Sequence, residues 1–583
     1  MKNPHTWRYV TVQIMLVVFG FSILAQIIRI QHSAEAKAIL DKDPGGGVET
    51  FYPARGEIFD LKGHLLAGNK IVYEVGVDLQ VLEENEYANA NTIALAASVY
   101  LDLDYATVLN WITQPPEDRR YVVLDNFASP DEEKALMDLQ ELAKDKPRDQ
   151  TLEGLNSTPH LVRTYPEGSL AANIIGFVTQ EGVGYFGVEE KYNSLLAGVP
   201  VKVWVSADPN RAEELPNIPP GATLILTLDR EVQASVEEIL DAAVLDTGAA
   251  SGTVVVMDPK TGEILALAVT PHMNLNEYWR FKEIFPGETP FDRAISQAYE
   301  PGSVYKILTM AAALDKGVVK PEDTYFDSGI ILIGGVAIRN WNNTVWGQQN
   351  MIGCLQHSIN ACLVYVAELL GNDSFYSYMQ KFGIGHTTGI DLAGETTGHL
   401  KLPGDSDWYQ VDLGTNAFGQ GVSVTPIQMV MAASAIANDG KMVYPHMVHA
   451  MVQDGRQQNI SPQVAGTPIS AATAHTLNDM LAISLEKESS NSLVPGYRIA
   501  GKTGTAQIPT PYGVYDNSAT NASFVGWGPV DDPKFLVYVW LEKPQTSIWG
   551  SEVAAPVFKQ VVEKLVVLMG IPPDSIRLQT TRP

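Results

Sequence analysis

Apolar and polar positions divide the chain before any single residue does. Tyr9 to Ile28 carries no charge and is long enough to cross a hydrocarbon core of about 30 Å as a helix. Lys2 and Arg8 precede it, which predicts a cytoplasmic amino terminus. A cleaved leader is the alternative, because Ala34-Glu35-Ala36 offers a small-residue cleavage pattern. The apolar core exceeds the roughly 7 to 15 residues of a leader, however, so an uncleaved anchor is expected. Gln13, Ser22 and Gln26 are polar within it. Gln13 and Gln26 either bond a membrane partner or are tolerated against headgroups and the chain's own backbone.

Beyond the span the pattern is mixed. Thr253–Met257 and Ile264–Ala268 are apolar runs around Asp258-Pro259-Lys260-Thr261-Gly262, which reads as a hairpin. Ile499–Gln507 alternates with the period of a strand. Glu300-Pro301-Gly302 breaks the chain before Ile307–Leu314, a run of helix formers, so a helix is expected to begin at Ser303. Asp131 to Lys146, stopped by Pro147, reads as an exposed helix. The proline-rich stretch Leu215–Gly221 marks a boundary, with strand patterning resuming at Thr223 to Leu228. The expected division is a tail 1–8, an anchor 9–30, a mixed α/β unit 31–220, a larger helix-and-strand unit 221–570, and a short disordered tail 571–583.

With 583 residues and 45% hydrophobic content the chain can bury more than one core. A net charge of -27 argues against nucleic acid, whose phosphates need a basic face. Cys354 and Cys362 are the two cysteines; a disulfide and a pair of buried thiols fit them equally. The 11 histidines show no ligand spacing, so neither metal nor cofactor is expected.

Three short strings carry chemistry: Ser303-Val304-Tyr305-Lys306, Ser358-Ile359-Asn360 and Lys502-Thr503-Gly504-Thr505. Each recurs as a decoy: Ser484-Leu485-Glu486-Lys487, Ser489-Ser490-Asn491 and Lys260-Thr261-Gly262. Context excludes the decoys, since the first two crowd a charged, serine-rich stretch and the third is the hairpin turn.

A serine three positions before a lysine on one helix shares a face with it, so Lys306 can reach the Ser303 hydroxyl. An amine of ordinary pKa about 10.4 acts as a base only when burial and nearby positive charge lower it; Lys502 can supply that charge. Ser358 can pass a proton to a leaving amine, and the Asn360 amide can bond both a lysine and a substrate carbonyl. An extended peptide can add to the Lys502 strand, with Lys502, Thr503 and Thr505 gripping its terminal carboxylate. The amides of Ser303 and Thr505 are the expected oxyanion donors.

On these strings the chain resembles the class B penicillin-binding proteins, peptidoglycan D,D-transpeptidases. The resemblance extends through Arg55-Gly56-Glu57-Ile58-Phe59-Asp60, Arg163-Thr164-Tyr165-Pro166, Gly187-Val188-Glu189, Tyr299-Glu300-Pro301-Gly302, Phe418-Gly419-Gln420-Gly421, Thr425-Pro426 with Gln428, and Phe524-Val525-Gly526-Trp527. The lead-in Tyr-Glu-Pro-Gly and the Phe-Gly-Gln-Gly segment are more similar to the division branch than to the elongation branch. Ile359 stands where a smaller residue is expected and Tyr305 where Phe or Met is frequent; neither carries a proton in the mechanism.

The resemblance implies an α/β (α+β) serine transpeptidase domain, penicillin-binding/β-lactamase-like, with a five-stranded antiparallel sheet flanked by helices. It also implies a pedestal that holds this domain away from the membrane. The implied reaction is acyl transfer: Ser303 attacks between the two terminal D-alanines of a stem peptide, D-alanine leaves, and a neighbouring stem's amine takes the acyl group. β-Lactams would acylate the same serine, and a polytopic glycosyltransferase is the implied membrane partner. A β-lactamase, a carboxypeptidase, a silent division scaffold and a β-lactam sensor are the rival expectations.

Overall fold

The computed structural model describes residues 6–31, 47–115, 119–205, 218–286, 291–488, 490–509 and 515–580. The chain divides into two compact units, 1–54 with 197–220, and 55–196 with 221–583.

In the first unit a helix runs Thr6–Gln31, and Gly47–Phe51 pairs antiparallel with Val201–Val205. The apolar span expected at Tyr9–Ile28 falls on this helix, whose side chains are described from 14 to 30 and are exposed there. Among the described residues no helix is long and apolar enough to cross a membrane.

In the second unit a mixed sheet links segments from both sides of residue 220. Ile58–Phe59 runs parallel to Thr223–Leu226 and antiparallel to Leu65–Asp78. Leu65–Asp78 in turn pairs with Tyr121–Ala128 and Leu155–Thr164. The strand patterning read at Thr223 thus completes the preceding segment's sheet. Glu189, fully buried, holds this region together: its carboxylate meets Arg55 at 2.6 Å and Arg163 at 2.7 Å. A buried carboxylate with two guanidinium partners is satisfied, whereas losing Glu189 would leave two buried guanidiniums without a counter-charge. The exposed helix expected at Asp131–Lys146 is Pro130–Ala143, started by a Ser129–Glu132 capping box.

The larger sheet comprises β1 (Ser251–Met257), β2 (Ile264–Thr270), β3 (Ala500–Pro509), β4 (Tyr515–Gly528) and β5 (Phe535–Glu542). Its order is β2-β1-β5-β4-β3, antiparallel throughout. Both faces are covered, so β1 and β5 are apolar at successive positions rather than alternating. Val254 and Val256 face a core shared with α1 (Arg230–Thr247) and a helix at Gly550–Leu568. Val255 and Met257 face the core that holds α2 (Lys306–Lys316), α3 (Asn360–Leu370) and α4 (Pro426–Ala437). The period-two backbone sends neighbours to opposite faces. Thr425-Pro426 and Gln428 are a helix start: the Thr425 hydroxyl accepts from the Gln428 amide, Gln428 returns the bond, and Pro426 fills the first turn.

β3 ends the sheet order, so its outer edge has no strand beyond it among the described residues.

The tail expected to be disordered after Pro573 instead forms a helix, Asp574–Thr580. Arg577 pairs with Asp531 and Asp574, and the Asp574 carboxylate accepts the Arg498 amide at 2.7 Å. Partners from distant segments supply what the short tail lacks by itself.

Candidate active site

Ser303 lies in a 3₁₀ turn, Gly302–Tyr305, that feeds directly into α2. Gly302 adopts φ 57°, and a Cβ there would come within 2.8 Å of the Thr505 carbonyl oxygen. The Gly302 amide donates to the Gly419 carbonyl at 2.9 Å, while a Cβ on Gly419 would lie 2.2 Å from the Gly302 oxygen. The glycines of Tyr-Glu-Pro-Gly and Phe-Gly-Gln-Gly therefore let two turns and a strand approach one another around Ser303.

Ser358 sits between the helix Met351–Gln356 and α3, at φ 51°. That left-handed conformation costs a non-glycine residue on the order of 1 kcal/mol or more and needs surrounding structure to hold it. Cys354 and Cys362 form a disulfide across it, Cα atoms 6.0 Å apart, which resolves the alternatives left open by spacing.

Lys306 is fully buried. Its amine donates to Asn360 Oδ1 at 2.7 Å, to Ser358 O at 2.6 Å and to Ser358 Oγ at 3.0 Å. The Ser358 hydroxyl donates to Ser303 Oγ at 2.9 Å. Helix spacing suggests a direct Lys306–Ser303 contact; the structure interposes the Ser358 hydroxyl. Burial, and then the charge of Lys502, push the Lys306 amine well below the ordinary lysine range. The Phe418 ring centroid lies 6.0 Å from that amine.

Lys502 is buried to 4% exposure on β3 and donates to Thr503 O and Oγ1, each at 3.2 Å. Burial pushes it down to about 8, against an opposing pull from the Glu488 carboxylate. Gly504 is required by space: a Cβ would meet Ser523 Oγ at 2.2 Å, Val304 Cγ1 at 2.9 Å and Pro301 O at 3.1 Å. The Thr505 hydroxyl accepts the Gly550 amide at 3.0 Å.

The structure thus brings Ser303, Lys306, Ser358 and Asn360 into one hydrogen-bonded group. The Lys502–Thr505 strand packs against the turn that carries Ser303. Tyr305 and Ile359 are fully buried in the core. The decoys are elsewhere in chemistry: Ser484 bonds the Met480 carbonyl within its own helix, and Lys260 pairs with Asp532 at a hairpin turn. Ser489 lies outside the described residues.

Sequence reading missed the aromatic link across the two motifs. The Trp341 indole donates to the carbonyl of His357, beside Ser358, and packs edge-on against Trp549 at 4.7 Å. Trp549 precedes Gly550, the residue bound to Thr505. The sequence also gives no sign that Glu300 accepts the Gly421 amide and the Tyr515 hydroxyl. These partners come from segments far apart in the chain.

A family model described as the penicillin binding protein transpeptidase domain matches residues 252–563, more than half the chain and all three motifs. The chain belongs to the penicillin-binding protein family. The family's dimerisation domain matches residues 50–215. Among curated relatives, stage V sporulation protein D of Bacillus subtilis is 31% identical over 552 residues, covering 93% of this chain and 82% of that protein. Peptidoglycan D,D-transpeptidase FtsI of Escherichia coli is 29% identical over 433 residues, covering 73% and 70%. Penicillin binding protein 3 of Mycobacterium tuberculosis, solved with aztreonam, matches with a TM-score of 0.68 at 25% identity over 90% of this chain and 98% of that one. In this penicillin-binding protein the hydrogen-bonded group lies wholly inside the transpeptidase region.

Proposed function

We propose that the chain is a division-type peptidoglycan D,D-transpeptidase whose nucleophile is Ser303. The observation that carries this reading is the continuous path from Ser303 Oγ through Ser358 Oγ to a buried Lys306 amine. A lowered lysine amine takes the Ser303 proton by way of Ser358 as Ser303 Oγ bonds the carbonyl carbon between two terminal D-alanines. The amides of Ser303 and Thr505 hold the oxyanion. Collapse breaks the C–N bond, and the proton returns through Ser358 to the departing D-alanine. The amine of a second stem then attacks the acyl-enzyme, Ser303 regains its proton, and a crosslink forms. Lys502 and Thr503 hold the donor carboxylate, with an extended donor lying along the free edge of β3.

Tyr9–Ile28 serves as a single-pass anchor in the cell membrane with the amino terminus cytoplasmic, supported by its length, lack of charge and preceding basic residues. Residues 31–220 act as a pedestal and 221–570 as the catalytic domain. A polytopic glycosyltransferase is the proposed membrane partner, and β-lactams are covalent inhibitors.

The test is fluorescent penicillin on the full chain in detergent, with peptide mass spectrometry and a Ser303→Ala control. A stable adduct on Ser303, lost in the variant, is expected. Rapid turnover would indicate a β-lactamase, and absence of any adduct on folded protein a silent scaffold.

A further inference from the structure

Trp341 and Trp549 join the Ser358 side of the site to the Thr505 side. The Trp341 indole donates to the His357 carbonyl at 3.4 Å, which ties the ring to the backbone next to Ser358. Trp549 is tied to the strand: the next residue, Gly550, donates its amide to Thr505 Oγ1 at 3.0 Å, and a Cβ on Gly550 would lie 2.1 Å from the Gly504 carbonyl oxygen. The two rings meet with centroids 4.7 Å apart and planes at 62°, an edge-to-face contact that leaves indole face open. Trp341 is 48% exposed.

Glu552 adds negative charge to this pair. Its Oε2 accepts the Ser547 hydroxyl at 2.5 Å, and that hydroxyl oxygen accepts the Trp549 amide at 3.2 Å, so the carboxylate is held beside the Trp549 backbone. Among the described residues no lysine, arginine or histidine pairs with Glu552. Indole faces are electron-rich and, with a carboxylate beside them, complement a cation.

The direction of the reaction indicates which cation. On the transpeptidase reading the departing D-alanine amine takes its proton from Ser358. An attacking amine retraces the path of the leaving one, because formation and collapse of the tetrahedral intermediate are the same step reversed. The acceptor therefore enters beside Ser358, where the Trp341 ring is tied.

We propose that Trp341 and Trp549, backed by Glu552, bind the aliphatic ammonium of the acceptor stem before it attacks. The ammonium gives its extra proton to solvent. The neutral amine then bonds the acyl carbon, the ester C–O bond to Ser303 breaks, and a proton of that amine passes through Ser358 to Ser303 Oγ. This rests on the transpeptidase reading and gives it an acceptor subsite.

The test uses the full chain in detergent, a thioester of N-acyl-D-alanine as donor and Nα-acetyl-L-lysine amide as acceptor. Mass spectrometry of the products gives the ratio of amide to free acid, in which any change in Ser303 acylation cancels. Trp341→Leu and Trp549→Leu are each expected to lower that ratio about fivefold at subsaturating acceptor, the scale of a cation on partly exposed indole faces. Glu552→Gln should act in the same direction, and Trp341→Phe should retain part of the ratio. On wild type, Nα-acetyl-Nε-trimethyl-L-lysine amide, a cation that cannot be acylated, should compete with the acceptor, whereas uncharged Nα-acetyl-norleucine amide should not. A ratio unchanged in both leucine variants would overturn the proposal, as would equal competition by the two analogues or free acid as the sole product. If penicillin acylates Ser303 without thioester turnover, the trimethyl-lysine probe is titrated by tryptophan fluorescence, and equal binding to wild type and Trp549→Leu overturns the proposal. Failure of both thioester and penicillin to acylate Ser303 removes the transpeptidase reading itself; amide formation indifferent to the two rings removes this subsite alone.

Discussion

The Ser358 hydroxyl stands between the Lys306 amine at 3.0 Å and the Ser303 hydroxyl at 2.9 Å, the position that the proposed proton relay of acylation requires. Ser358→Ala should slow acylation by penicillin about a hundred- to ten-thousand-fold. Unchanged thermal stability together with that loss would locate the effect in proton transfer. A rate within a few-fold of wild type would mean that Lys306 reaches Ser303 directly.

Acylation by this route requires Lys306 without its proton and Lys502 with its own. Lys306 is held well below the ordinary lysine range and Lys502 near 8, so the rate should fall as pH rises through about 8. Glu488 raises the Lys502 value; Glu488→Gln should therefore move this alkaline limb to lower pH. Stopped-flow acylation across pH 6 to 10 on both proteins measures it, and a limb that stays in place would uncouple Glu488 from the site.

Gly504 faces Ser523, Val304 and Pro301 so closely that any Cβ displaces either the strand or the turn that carries Ser303. Gly504→Ala should leave a folded protein with penicillin acylation reduced at least about a hundredfold, since small misplacement of reacting groups carries penalties of that size. Circular dichroism alongside the acylation rate checks both halves.

The disulfide closes a short loop around Ser358. Replacing Cys354 and Cys362 together by serine should lower stability by about 2–3 kcal/mol through the freed unfolded chain. A matching fall in the melting temperature of wild type under reductant, absent in the double variant, is the expected calorimetric result.

Asp292 is fully buried; Oδ1 accepts the Ala294 amide at 2.8 Å and Oδ2 has no hydrogen-bond partner. Burial raises it to about 7, above the roughly 3.9 of an unfolded chain. The folded state thus holds the proton more tightly, and its stabilising contribution is full below pH 4 and lost as pH rises through 7. Asp292→Asn keeps the helix cap without the titration. Denaturant midpoints at pH 5 and pH 8 should differ less in the variant than in wild type, by on the order of 2 kcal/mol.

Local pattern determined much of this protein. Glu300-Pro301-Gly302 before a run of helix formers placed Ser303 at a helix start, and alternation from Ile499 to Gln507 placed Lys502 on a strand, because each signal depends on chain neighbours alone. The same locality separated the Ser303 string from the Ser484 and Lys260 decoys. Tertiary structure decided which atoms meet. Ser358 between Lys306 and Ser303, Trp341 against Trp549, and Tyr515 on Glu300 each join segments that periodicity treats independently. The proline-rich break near 220 is similar: the strand after it completes the earlier segment's sheet, since backbone pairing follows available edges rather than composition. Arg577 reaching Asp531 turns a nominal tail into a helix for the same reason. Sequence specifies the groups and their local conformation; the distances that make them chemistry arise from packing between remote parts of the chain.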